Sequence, residues 1–403
     1  MKDKRFKICM ITESFFPSVG GQETIIDGLA SELVRRGHNV HVFAPKYSAR
    51  GLKKYGLREF EQPVNYKVRR FYTLPLGVLT RFSFFNWRFK FLLWPLLFLF
   101  YIRKERFDII HAHSIFPAAT AGLAGKIFHM PILVTSHGGD FQIQQNIGYG
   151  ARLNPIALAF ISITLKFVDK LVVVSEELRN IAYSAGADLE KIVIIPNFID
   201  TAKVKVGNGN LILKRYNLEK GKYLVYIGRL TPEKGLLQLI KSLEQVLIEN
   251  NELKLVIAGY GVERSKLENY VKARSIDRKV VFTGVIMGEE KWDLYACSLA
   301  FIIPSTTEAF GIAAIEAMAS GTVVIARNKP PFCEYIKNGV TGVLVNDLAD
   351  IKSVIKELAN NREKRLRIAK EGKRCVSEKF SLNIICSEYE KLYAEILKRS
   401  GLH

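Results

Sequence analysis

Along the first half of the chain, short apolar runs recur between longer stretches of helical spacing. FKICMI, NVHVFA, FDIIHAH, ILVTSH, KLVVVS and VIIPN are each rich in β-branched or aromatic residues and bounded by polar residues, Gly or Pro. Strands buried on both faces of a parallel sheet read this way. Residues 22 to 36, closed by Gly37, and residues 151 to 167 read as helices between them. The alternation predicts a βαβ series and a parallel sheet covered on both faces. The rhythm then restarts. Residues 201 to 221 are polar, twice broken by Gly and Asn, and without strong periodicity, which predicts a linker. After them YLVYIG, KLVIAG, VVFTG, LAFIIP, VVIA and GVLV alternate with helical stretches near 235 to 249, 263 to 274, 289 to 297 and 311 to 319. Two Rossmann-like, doubly wound α/β domains are predicted, residues 1–200 and 201–380. The tail, about 381–403, has helical spacing at Leu382, Ile385, Tyr389, Leu392 and Ile396, and reads as a closing helix packing back on the first domain.

Residues 81–107, RFSFFNWRFKFLLWPLLFLFYIRKERF, break this pattern. Their uninterrupted apolar part, Phe91 to Ile102, falls short of the roughly twenty residues that a spanning helix needs. Trp87 and Trp94, with Arg88, Lys90, Arg103 and Lys104 on the flanks, suit an interfacial helix on an anionic membrane surface. The other reading is a core-facing helix with snorkelling ends. Charge favours the first. The net charge is +20, and Lys46 to Arg106 alone hold fourteen Lys or Arg against three acids. A nucleic-acid partner is not expected, because the basic region is interleaved with a continuous apolar run instead of isolated stacking aromatics.

With 403 residues, 48% hydrophobic and 24% charged, the chain is too long for one comfortable core, in line with two domains. Cys9, Cys297, Cys333, Cys375 and Cys386 are odd in number and form no CxxC pair, so neither a disulfide framework nor a thiolate metal site is indicated. A cytoplasmic location is expected, since the start has too short an apolar run for a signal peptide.

The residues richest in chemistry are FIIPSTTEAFGIAAIEAMASG, 301 to 321. A strand ends at Pro304, a polar loop follows, and Gly311 opens a helix. The backbone N–H groups of Phe310, Gly311 and Ile312 would point out of a helix start, a favourable place for an anionic phosphate. Glu308 and Glu316 flank that mouth and suit sugar hydroxyls. In YIGRLTPEKGLLQLI, Arg229 and Lys234 stand beyond a strand's carboxyl end, where two fixed cations can neutralise a departing diphosphate. Gly20 and Gly21 make a small-residue turn through which backbone N–H groups can approach a donor phosphate or acceptor. His137 follows a strand with its side chain toward the inter-domain cleft, and Asp140 contacts the acceptor or orders this loop. His111 and His113 are read as facing opposite sides of a strand, hence as poor joint metal ligands.

EAFGIAAIEAMASG with its E-x7-E at Glu308 and Glu316, preceded by GRLTPEKG and IAGYGVERSKLE, closely resembles the retaining glycosyltransferases of family 4. The amino-terminal SFFPSVGGQETIIDGLASELVRRGHNVHVFA, DIIHAHS, VTSHGGD and VVVSEELRN resemble that family's pieces in order, so the resemblance covers nearly the whole chain. It implies the GT-B architecture, two Rossmann-like domains facing each other across a cleft. It further implies that Arg229 and Lys234 hold the donor diphosphate, Glu316 the ribose and Glu308 the transferred sugar, with His137 near that sugar. Gly259 and Tyr260 fall on the donor side, although Tyr260 replaces the small polar or acidic residue of many relatives.

The resemblance implies a UDP- or GDP-linked sugar as co-substrate and a glycan or lipid acceptor, with no resident cofactor. The sequence has no D-x-D pair to hold a bridging cation, so metal independence is expected. An epimerase or a phosphorylase could use the same fold. A dinucleotide oxidoreductase fits less well, since Gly259 and Gly261 lack the third glycine.

Overall fold

The computed structural model describes residues 5–18, 20–46, 64–72 and 95–401. The chain divides into two compact units, residues 1–197 with 382–403, and residues 198–381.

The first unit holds seven parallel strands, β1 Lys7–Thr12, β2 Asn39–Lys46, β3 Lys67–Tyr72, β4 Ile109–His113, β5 Ile132–Ser136, β6 Lys170–Val173 and β7 Ile192–Ile194. Their order is β3-β2-β1-β4-β5-β6-β7. Six are the apolar runs read from the sequence. The seventh, KVRRFY, carries mostly exposed basic positions because it lies at a sheet edge and needs little apolar surface. Helices Ile115–Phe128 and Glu176–Ser184, also unassigned by periodicity, connect β4 to β5 and β6 to β7. The first of these is so rich in Ala and Gly that no polar stripe marks its period.

The second unit holds six parallel strands, β8 Tyr223–Ile227, β9 Lys254–Ala258, β10 Val280–Gly284, β11 Ala300–Ile303, β12 Val324–Arg327 and β13 Val343–Val345, in the order β10-β9-β8-β11-β12-β13. Residues 201–221 are a correction. Instead of a bare linker they contain a 3₁₀ turn, Thr201–Lys203, and a helix, Asn210–Arg215, within this unit. Gly209 starts that helix at φ 74°, and a Cβ there would collide with the Cys297 sulfur. At six residues, NLILKR is too short to show a helical period.

In each sheet the winding reverses once, between β1 and β4 and between β8 and β11. Connections leaving the two strands diverge there, opening a crevice beyond their carboxyl ends.

The final helix, Leu382–Arg399, belongs to the first unit and buries Ile385, Cys386, Tyr389, Tyr393, Ile396 and Leu397. Arg36 fastens it: its guanidinium donates to Glu32 Oε1 at 2.8 Å, to Ser387 Oγ at 2.8 Å and to Glu390 Oε2 at 2.5 Å. His38 accepts from the Phe6 amide at Nδ1, so its Nε2–H donates to Glu390 Oε1 at 2.9 Å.

Of the basic aromatic segment, residues 81–94 lie outside the described residues. The rest begins as a helix, Pro95–Glu105, that buries Phe98 and Ile102 and exposes Phe100. Tyr101 meets Phe43 edge-on at 4.4 Å. No helix among the described residues is long and apolar enough to cross a membrane.

Replacing Arg36 by Met leaves Glu32 to Arg35 alone and Glu390 to His38 alone, and removes the guanidinium that ties the first helix to the last. Equilibrium urea unfolding should show a loss of about 2 kcal/mol.

Candidate functional site

In the second unit, the loops leaving β8 and β11 are laced together at the point of reversed winding. Thr306 donates to the Glu233 carbonyl from both its amide and its hydroxyl at 3.3 Å, and Gly235, at φ 68°, lets the Pro304 carbonyl approach closely. Glu233 is itself buried and accepts from Thr231 Oγ1 at 2.6 Å, which fixes the turn Pro232–Lys234. That turn carries Lys234 inward, where its Nζ lies 2.6 Å from Glu308 Oε1; both side chains are largely buried. Ser305 Oγ donates to the same carboxylate oxygen at 3.0 Å. Arg229 stands at the rim, 55% exposed, with its guanidinium 3.6 Å from Glu233. It is the more accessible of the two cations.

The helix that follows β11 runs Ile312–Ala319, with Gly311 at its start at φ 87° and no side-chain cap. A Cβ on Gly311 would lie 2.6 Å from the Phe332 ring, so both conformation and space require glycine. Phe310 is buried, stacks on Tyr335 at 5.1 Å, and its carbonyl accepts from the Tyr335 hydroxyl at 3.0 Å. The Tyr226 hydroxyl likewise holds the Arg229 carbonyl at 2.8 Å. Burial first, and Glu308 second, push both phenols well above their usual range, so they remain protonated donors. The amides at 310–312 are thus held from behind. Glu316, in the second turn, meets Lys291 Nζ at 2.7 Å and the Tyr295 hydroxyl at 3.3 Å. Lys291, Tyr295 and Ser305 were missed by sequence reasoning; they lie on another helix or in an unremarkable position, with no local signal.

Gly259 and Tyr260 follow β9, and the Tyr260 carbonyl accepts from the Leu230 amide at 2.8 Å. Gly259, at φ 145°, has no room for a Cβ against the Gly228 carbonyl, and Gly261 none against Leu230. These glycines let the loops after β8 and β9 lie backbone to backbone.

In the first unit the residues singled out gather beyond β1, β4 and β5, where that sheet reverses. Gly20 is the extended residue before the helix Gly21–Arg35, and its missing side chain leaves room for Glu23 Oε2. Glu23 accepts from Ser14 Oγ, so the helix's own carboxylate closes this turn. Asp140 is buried and accepts from Ser114 Oγ at 2.7 Å and Ser136 Oγ at 3.2 Å, tying the loop after β5 to the end of β4.

His111 and His113 require a correction. Residues two apart on a strand share a face, and the two rings lie 4.2 Å apart. His111 bridges Tyr393 (2.8 Å) and Thr135 (2.8 Å), while His113 Nδ1 faces His137 Nε2 at 3.3 Å with the rings stacked. The alternation in DIIHAH was the signal that should have paired them. Burial holds His137 down to about 4 and His111 down to about 3, and pushes His113 well below its ordinary value. All three are neutral imidazoles. Among the described residues no group of His, Cys, Asp and Glu is placed to hold a metal ion.

Because these histidines bind protons less readily folded than unfolded, stability is complete above the unfolded value near 6.5 and declines as pH falls toward about 4. Each buried imidazole steepens this decline by up to about 1.4 kcal/mol per pH unit. Unfolding midpoints between pH 7 and 4.5 should flatten in His137→Asn relative to the parent.

Two family models match the chain, Glycosyltransferase Family 4 over residues 19–203 and Glycosyl transferases group 1 over residues 211–375. An uncharacterised glycosyltransferase of Methanocaldococcus jannaschii is 27% identical over 420 residues, covering 98% of this chain and 100% of that protein. Alpha-monoglucosyldiacylglycerol synthase of Streptococcus pneumoniae is 27% identical over 359 residues, 87% of this chain and 78% of the synthase. Among solved structures, Anabaena HepE in complex with UDP-glucose superposes with a TM-score of 0.78 at 18% identity, covering 97% of this chain and 100% of HepE. These matches give no support to an epimerase or a phosphorylase.

Proposed function

Because this chain belongs to the glycosyl transferases group 1 family and has the GT-B fold, we propose that it transfers a sugar, with retention and without a metal ion, from a nucleoside-diphosphate sugar to an acceptor hydroxyl. The observation that supports this most is the Lys234–Glu308 pair at 2.6 Å, set at the winding reversal beside an uncapped helix start with Arg229 at the rim.

A donor diphosphate competes with Glu308 for Lys234, and Arg229 and the 310–312 amides meet its remaining oxygens. Glu308, released from Lys234, accepts from a hydroxyl of the sugar, and Glu316 accepts from the ribose. In the first unit, His137 is a neutral imidazole, suited to hydrogen-bond a neutral ligand without adding charge. As the bond from the anomeric carbon to the phosphate oxygen breaks, negative charge grows on the diphosphate, where the cations and amides already point. The acceptor oxygen bonds to the anomeric carbon on the same face, and its proton passes to the departing phosphate oxygen. No separate general base is assigned.

The donor is UDP- or GDP-linked, and the acceptor is a lipid or lipid-linked glycan. The name of the pneumococcal relative, a diacylglycerol glucoside synthase, and the basic aromatic segment 81–107 support that choice. The same segment supports peripheral attachment to the cytoplasmic face of the membrane.

A thermal-shift and hydrolysis screen of nucleotide sugars in EDTA tests the reading. At a hundredfold excess over Kd one donor should stabilise the parent by about 2.7 kcal/mol, and Glu316→Ala and Arg229→Ala should lose most of that response. Turnover by Lys234→Met should fall about 10²–10³-fold. Absence of any nucleotide-sugar response, or restoration of activity only by divalent cations, contradicts it.

A further inference from the structure

On the first unit, the helix Ile115–Phe128 packs against both Pro95–Glu105 and Pro155–Leu165. The last of these is PIALAFISITL, without one charged residue. Its inner side buries Ala157, Ile161, Thr164 and Leu165. A surface helix ordinarily sets a polar stripe opposite such a face. Here the outward positions include Ile156, 55% exposed, Leu158, and Ile163, 54% exposed. The neighbouring helices add Leu123 and Ile127, and Phe100 at 69%. Single apolar residues on a surface are ordinary. Six large ones on three adjoining helices, one of which exposes Ser162 as its sole polar side chain, mark an interaction surface. At 11 residues, Pro155–Leu165 has about half the length a bilayer crossing needs.

Charge selects the occupant. Exposed Arg103 and Lys104 close the first helix, Lys126 stands near the end of the second with its Nζ 4.1 Å over the Phe167 ring, and exposed Lys166 follows the third. The one acidic residue on these helices is Glu105, already paired with Lys7 at 2.9 Å. A second copy of the chain docking by two-fold symmetry would place these cations against one another. Anionic headgroups meet them with opposite charge. We infer that this three-helix face seats on an anionic bilayer, its apolar side chains entering the headgroup–acyl boundary while the cations contact lipid phosphates. The inference deepens the proposed membrane-borne acceptor, and rests on that reading only for the choice of lipid.

Sedimentation of the full chain with vesicles of phosphatidylcholine, with and without phosphatidylglycerol, tests it. The double variant Ile156→Gln, Ile163→Gln alters exposed positions and should retain its circular dichroism and its nucleotide-sugar thermal shift, yet partition about tenfold more weakly. Lys126→Glu with Lys166→Glu should weaken binding only to the anionic vesicles, in a salt-sensitive way. Three results overturn the inference: no vesicle binding by the parent, wild-type binding by the Ile variant alongside loss on Phe91→Ser with Trp94→Ser, or a change confined to the monomer–dimer balance in light scattering. A preserved donor response with no vesicle binding removes this inference together with the proposed peripheral attachment and leaves the transferase reading standing; vesicle binding with no donor response removes the transferase reading alone.

Discussion

The reversal of winding between β8 and β11 is the constraint on which the candidate site depends. Parallel strands joined by right-handed crossovers must send successive helices to one face until the direction changes. At that change two loops part, and the crevice between them collects whatever the strands carry at their carboxyl ends. Here those loops bring Lys234 to Glu308 across 74 residues of sequence and set both beside the Gly311 helix start. The first unit repeats the arrangement between β1 and β4, where the His111, His113 and His137 cluster and Asp140 gather.

What holds these loops is mostly polar and mostly buried. Tyr226 and Tyr335 pin carbonyls on either side of the helix mouth, and Glu233 is consumed inside its own turn. In the proposed reading, the charge that meets the diphosphate is left differently: Arg229 stays at the rim, while Lys234 is stored against the Glu308 carboxylate. Phenols kept protonated by burial and imidazoles kept neutral by burial give rigid donors and acceptors without adding net charge. A site arranged in this way pays little reorganisation when a diphosphate arrives.

The strands were legible because a sheet buried on both faces requires continuous apolar runs, and the short length and flanking residues of KLVIA and KICMIT favour strands over helices. The edge strand Lys67–Tyr72 escaped because an edge relaxes that requirement, and the helix Ile115–Phe128 because small residues pack without a polar stripe. Glu308, Glu316, Lys234 and Arg229 could be named from two short segments, one of which also holds Ser305, but the Glu316 partners Lys291 and Tyr295 could not, since folding alone brings them there. The histidines differ: the period-two spacing in DIIHAH puts His111 and His113 on one face, where their rings lie 4.2 Å apart, against the opposite-face expectation. The apolar helix Pro155–Leu165 was legible as a helix, whereas the exposure of its outer side appears only once its neighbours are placed.

The central claim is that the β8 and β11 loops of the second unit receive the donor diphosphate. Hydrogen–deuterium exchange of the whole chain with and without a saturating nucleoside-diphosphate sugar tests it most directly. The account predicts slowed exchange in residues 228–236 and 304–316, with the 310–312 amides among the most protected. Unchanged exchange in both segments, with protection confined to the first unit, would contradict it.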